Sequence, residues 1–157
     1  MRIEYFQLID RIVDLNLADR KISSEAQVPA TSTIFEGHFP GMPLMPGVLL
    51  IEAMAQTAGW LVVAINRFER MALLAAVKEA KLRTFVKPGQ VLSIEARMEH
   101  EGSGYAVVAA KIRVERREAC EAAITLRVLD FPNAEMKKQM CDFAAGIGLK
   151  VGAPADG

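Results

Sequence analysis

Residues 36–56 read EGHFPGMPLMPGVLLIEAMAQ, from Glu36 to Gln56, and this stretch decides how the rest of the chain is read. Pro40, Gly41 and Pro43 forbid regular structure over residues 33–45, which reads as one long irregular segment. Pro46 suits the first position of a helix, where its missing N–H costs nothing. Val48 to Ile65 then supplies roughly five apolar helical turns, and apart from Glu52, Gln56 and Thr57 that helix has no polar face, so it must be surrounded. A helix placed for packing alone has no need of a carboxylate in its second turn, where desolvation opposes the charge. His38 and Glu52 thus stand on either side of a Pro/Gly turn that leads into a buried helix, and both are candidates for proton chemistry.

Working outward, four strand-length stretches follow the helix: Ala72 to Phe85, Gln90 to Glu99, Tyr105 to Arg116 and Ala119 to Phe131. The connectors HEGSG (100–104) and RREA (116–119) are short enough for hairpins, and VKPGQ (86–90) carries a Pro-Gly turn, so consecutive strands are expected to pair antiparallel. On the other side, Arg20 to Val28 alternates weakly and reads as an exposed strand, while Tyr5 to Ile12 fits either a short helix or a first strand. Asn133 to Ile147 has helix formers with an apolar subset at Met136, Met140, Phe143 and Ala144, which predicts a short C-terminal helix. The expected architecture is α+β, an antiparallel sheet wrapped around one long helix, as a single domain over 1–149 with a disordered tail at 150–157.

Composition narrows the function classes. Lys plus Arg and Asp plus Glu are 19 each, which argues against a nucleic-acid binder that works by neutralising phosphates. Cys120 and Cys141 show no metal-ligand spacing and fit free thiols in a reducing cytoplasm. Glu4 and Asp10 break what would have to be the apolar region of a signal peptide, and no uncharged apolar run reaches about 18 residues, so no membrane span is expected.

Residues 35–56 resemble the signature of the hotdog-fold (3R)-3-hydroxyacyl-[acyl-carrier-protein] dehydratases, the FabZ/FabA group. The match is carried by Gly37, His38, Phe39, Pro40, Gly41, then Met45, Pro46, Gly47, then Glu52, Ala53, Ala55 and Gln56. Weaker similarity extends over about residues 5–130: FQLIDRI resembles the family's Phe-Leu-Leu-Val-Asp-Arg-Val, and AKLRTFVKPGQVL resembles its Lys-Ala-Arg-Phe strand and Pro-Gly turn. Glutamate at 52 places the chain nearer the FabZ branch, since FabA-like enzymes carry Asp there. Met42 and Leu44 depart from the family's Arg and Val, and Thr31 to Ile34 lack its Asn before the paired aromatics. These changes bear on chain-length or carrier preference more than on the reaction.

The resemblance implies dehydration of a 3-hydroxyacyl thioester on acyl carrier protein, without metal or redox cofactor. The reaction removes a proton from C2, stabilises charge on the thioester oxygen and protonates the departing C3 hydroxyl. His38 is the expected base, Glu52 the acid, the Gly47 N–H at the helix start the oxyanion donor, and Gln56, one turn on from Glu52, its support. Phe39, Met42 and Met45 are candidate lining for an acyl tunnel, with Met also ordinary core filler; Met54 and Trp60 read as core. The resemblance further implies a homodimer with His38 of one protomer facing Glu52 of the other, a trimer of dimers remaining open. Arg67, Arg70, Lys78, Lys81, Arg83 and Lys87 against Glu69 and Glu79 give a basic excess that fits either an acidic carrier or a solvated face. His100 reads as a solvated turn residue. Two other functions compete: a hotdog thioesterase, which would activate water at a similar carboxylate, and a non-catalytic acyl-binding subunit.

Overall fold

The structure is a computed structural model that describes residues 1–150 of the 157, so the tail expected at 150–157 lies, from residue 151 on, outside the described residues. Six strands form one antiparallel sheet: β1 (Arg11–Asn16), β2 (Lys21–Gln27), β3 (Arg70–Leu82), β4 (Val91–Gly102), β5 (Tyr105–Val114) and β6 (Arg117–Asp130), in the order β1-β2-β4-β5-β6-β3. Three helices accompany it: α1 (Thr33–Gly37), α2 (Gly47–Ile65) and α3 (Ala134–Gly146).

Period-two patterning puts the sheet around α2. Leu92, Ile94, Ala96 and Met98 of β4 and Ala106, Val108, Ala110, Ile112 and Val114 of β5 are buried, while their neighbours along each strand face outward. The inward row meets Leu50, Ala53, Met54, Ala58, Leu61 and Val62 of α2 in one continuous core. By length and composition α2 would pass for a membrane-crossing helix, but here 61% of its apolar stretch is buried against the protein's own core, with Val48 at its start left exposed.

Several elements differ from the sequence expectation. Residues 33–45 are not wholly irregular: Ser32 Oγ accepts the Ile34 N–H at 3.2 Å and caps the short helix α1. Pro46, with φ −57° and ψ 133°, caps α2 and leaves Gly47 as its first helical residue. Between Tyr5 and Ile12 neither option holds alone, since a 3₁₀ turn at Ile3–Tyr5 gives way to β1 at Arg11. β2 is an interior strand between β1 and β4 rather than an exposed one. Its alternation is weak because a small polar residue, Ser24, occupies a core position and meets the Thr57 hydroxyl at 2.7 Å.

The β3–β4 connection is not a hairpin. β3 pairs only with β6 and forms the edge of the sheet, while β4 lies between β2 and β5. Residues 83–90 carry the chain across, with Gly89 at φ +83° turning it into β4 and the Val86 carbonyl accepting the Met45 N–H at 2.8 Å. Both expected hairpins form, but with tighter turns than the connectors 100–104 and 116–119 suggest: β4 runs through His100, which pairs with Val107 and is not a turn residue, to a turn at Ser103–Gly104, and the second turn is Glu115–Arg116, leaving Arg117 to Ala119 in β6. The C-terminal helix forms too: Asn133 Oδ1 accepts the Met136 N–H at 2.8 Å, and Phe143 stacks on Trp60. Past the end of α3 the Ile147 carbonyl accepts the Ile12 N–H at 2.7 Å, so β1 is capped on its outer side, whereas β3 has no strand beyond it among the described residues.

Candidate active site

His38 is delivered by the end of α1. Its N–H donates to the Ile34 carbonyl at 3.0 Å and its own carbonyl accepts the Leu44 N–H at 2.8 Å, so the backbone on both sides of the imidazole is held. The ring is half-buried and stacks on Phe39 with centroids 4.2 Å apart. Phe39 and Met42 close the turn by exchanging backbone hydrogen bonds at 3.1 and 2.9 Å. Among the described residues neither ring nitrogen of His38 has a protein partner, which leaves the imidazole open to take a proton from a bound molecule.

The start of α2 supplies the polar groups. Leu49 and Leu50 donate to the Pro46 carbonyl, while Gly47 and Val48 donate to no group among the described residues. These first N–H groups are the ones a helix cannot satisfy internally, and they attract developing negative charge. Leu82 of β3 lies directly over Gly47: a Cβ there would overlap the Leu82 Cδ1. A side chain at 47 would therefore have to displace the end of Leu82, a contact that spacing along the chain does not disclose.

One turn into the helix the Glu52 carboxyl is half-buried. Gln56 Nε2 donates to Glu52 Oε1 at 3.1 Å and to the Phe6 carbonyl at 2.9 Å, and Gln56 Oε1 accepts the Leu8 N–H at 3.1 Å. The backbone of Phe6 and Leu8 is therefore part of the site's support. Nothing in the residue pattern pointed to it beyond the resemblance of FQLIDRI to the family. The structure thus joins Glu52 to Gln56, and His38 to Phe39, but forms no hydrogen bond between His38 and Glu52 within the chain.

Of the proposed tunnel lining, Phe39 and Met42 are about half exposed, and Met45 lies in the core. Met54 is fully buried and His100 is exposed. Half of the basic residues from Arg67 to Lys87 are paired with carboxylates outside that segment. Arg70 pairs with Asp130, and Lys81 and Arg83 pair with Glu121, Arg83 also reaching Glu118. Glu69, for its part, pairs with Lys137. Arg67, Lys78 and Lys87 make no ion pair among the described residues.

With this geometry established, a FabA-like domain model matches residues 2–123. The chain belongs to the FabA-like family. Within that family it is 34% identical to a Chlamydia pneumoniae 3-hydroxyacyl-[acyl-carrier-protein] dehydratase FabZ, with 80% of this chain and 84% of the relative aligned. A FabZ of the same description from Levilactobacillus brevis is 39% identical over 76% of this chain and 81% of its own. Solved structures agree on the fold. A conserved protein of Pseudomonas aeruginosa superposes with a TM-score of 0.64 at 22% identity, covering 80% of this chain and 93% of its own. A Streptococcus pneumoniae protein described as a hypothetical thioesterase, solved with coenzyme A, gives 0.61 at 17% identity, covering 78% and 90%. At those identities the structural likeness speaks for the hotdog fold and not for the reaction. In this FabA-like chain α3 lies beyond the last residue matched by the family model.

Proposed function

We propose that this FabA-like chain is a (3R)-3-hydroxyacyl-[acyl-carrier-protein] dehydratase that forms the trans-2-enoyl thioester and water in fatty-acid or related acyl-chain biosynthesis. The observation that carries the reading is the start of α2, where two free N–H groups, at Gly47 and Val48, stand one turn before a carboxyl held by Gln56. The imidazole of His38 takes the C2 proton. The Gly47 N–H stabilises the negative charge that develops on the thioester oxygen. Glu52 gives its proton to the C3 hydroxyl as the C3–O bond breaks and water leaves, and the electron pair from the C2–H bond closes the C2–C3 double bond. His38 ends protonated and Glu52 ionised, and proton exchange with solvent restores both. Phe39 and Met42 flank the acyl chain, with Met45 behind them in the core.

The fold also supports a homodimer through β3. Among the described residues this edge strand is unpaired on its outer side and exposes Leu73, Leu74 and Leu82, and Val48 and Phe85 are exposed as well. An open apolar edge of this length needs a cover. A second copy in isologous contact brings its own residues to this edge, and His38 of one protomer then completes the site with Glu52 of the other. Residues 1–149 act as one catalytic domain, and Arg67, Lys78 and Lys87 remain for an acidic carrier. Two free thiols suit the cytoplasm.

The test is a mass-resolved assay of purified protein with 3-hydroxyacyl-acyl carrier protein, comparing wild type with His38→Ala and Glu52→Gln. Loss of one water by wild type and not by either variant supports the reading. Release of the free acid moves the assignment to a thioesterase, and no turnover by a folded dimer moves it to an acyl-binding subunit.

A further inference from the structure

The two backbone partners of the Gln56 side chain have fixed polarity. The Leu8 N–H can only donate, and it meets Gln56 Oε1 at 3.1 Å; the Phe6 carbonyl can only accept, and it meets Nε2 at 2.9 Å. Turning the amide over would set donor against donor at Leu8 and acceptor against acceptor at Phe6, so it has one orientation. Its second N–H then points at Glu52 Oε1, 3.1 Å away.

The backbone that imposes this is itself a closed hook. Arg2 and Gln7 exchange backbone hydrogen bonds at 2.8 and 3.1 Å around the turn Ile3–Tyr5, and Phe6 follows in the left-handed region at φ 57°, ψ 30°. The Phe6 ring is 58% exposed, so packing of that side chain is not what holds the turn.

We propose that the hook at residues 2–8 is a positioning device for the acid: acting through Gln56, it reserves Glu52 Oε1 as an acceptor and leaves Oε2 as the oxygen that carries the transferable proton. The inference rests on the dehydratase reading. A proton on Oε1 would face the Gln56 N–H, so the carboxyl holds it on Oε2. That proton passes to the C3 hydroxyl oxygen as the C3–O bond breaks and water departs. The electron pair of the O–H bond stays on Glu52, and the growing carboxylate charge strengthens the Gln56 bond in the transition state. The backbone groups of Phe6 and Leu8 act through Gln56, the side chain they both hold.

Phe6→Asn and Phe6→Val separate backbone conformation from side-chain loss. Both remove the exposed ring and keep the carbonyl, but Asn tolerates the left-handed region and a β-branched residue does not. The expected result is a kcat for Phe6→Val about tenfold or more below that of Phe6→Asn with KM within about twofold, and a loss of about 100-fold in kcat for Gln56→Met. Equal kcat in the two Phe6 variants, or wild-type kcat in Gln56→Met, overturns the proposal.

A second readout does not depend on turnover. The Gln56 side-chain amide resonances, assigned by their absence in Gln56→Met, stay distinct and slow to exchange in Phe6→Asn and move to solvent-exposed positions in Phe6→Val. Identical spectra in the two variants refute the hook itself. A wild type that turns over no hydroxyacyl thioester, with the spectral difference intact, refutes the dehydratase reading and the catalytic role together while the hook's hold on Gln56 stands.

Discussion

The Trp60 indole and the Phe143 ring lie nearly parallel, with centroids 5.8 Å apart and planes 12° from each other, and this contact closes α3 over the later turns of α2. Ala144 and Leu149 are buried on the same side, and the Leu149 N–H reaches back to the Ala144 carbonyl at 2.8 Å. Phe143→Ala is expected to cost roughly 2 kcal/mol, below the value for a fully buried ring because Phe143 is only partly buried. Thermal unfolding checks this: the midpoint drops by about 4–8 °C while kcat at low temperature is unchanged.

Gly47 and Leu82 form a second pair whose coupling is measurable. Alanine at 47 meets the Leu82 side chain, and crowding of this kind costs about 1–3 kcal/mol unless the neighbour gives way. Leu82 is half exposed and its end can move, so the expected effect of Gly47→Ala is a fall of about tenfold in kcat/KM with little loss of stability. Gly47→Ala combined with Leu82→Ala recovers most of it. A double-mutant cycle measures the coupling, and additive effects of the two changes contradict the contact's role.

The proposed sharing of the site across a dimer predicts complementation. His38→Ala and Glu52→Gln are each expected to be inactive as homodimers. Unfolded together and refolded, they give about half heterodimers, each with one intact site, and so about a quarter of wild-type activity. Activity that stays at the level of the separate variants places both residues of a working site within one chain.

Cys120 gives a pH dependence. Burial, with Glu121 and Glu118 nearby, pushes its thiol up from the ordinary 9.0 to about 11. A raised folded-state value means that this contribution is fully present below about pH 9 and is lost as pH rises toward 11, where the unfolded chain already binds fewer protons. The loss is about 2 kcal/mol over that window, and Cys120→Ala flattens it. Denaturant unfolding at pH 8 and pH 11 measures the difference. A thiol reagent at neutral pH modifies the native protein at Cys141, which is half-buried, far faster than at the fully buried Cys120.

What the sequence determined by itself is what near neighbours decide. Pro46, the apolar run to Ile65 and the spacing from Glu52 to Gln56 place α2 and its polar groups within a residue. The short connectors read at 100–104 and 116–119 imply that β4, β5 and β6 pair in succession, because so short a connection leaves the strands nowhere else to pair, while the two-residue turns themselves, at Ser103–Gly104 and Glu115–Arg116, came only with the strand register. The family signature at His38 and Glu52 lies in one contiguous stretch, so the candidate catalytic pair was legible without a fold. Tertiary structure alone decided which strands meet across the chain. β3 sits at the edge beside β6, and β2 lies between β1 and β4, because pairing there is chosen by burial of α2 and not by the Pro-Gly turn at 88–89. It also decided the ion pairs that neutralise Arg70, Lys81 and Arg83 and the backbone groups of Phe6 and Leu8 that hold Gln56, fifty and forty-eight residues away, for contacts at such separations exist only once the core has brought the segments together.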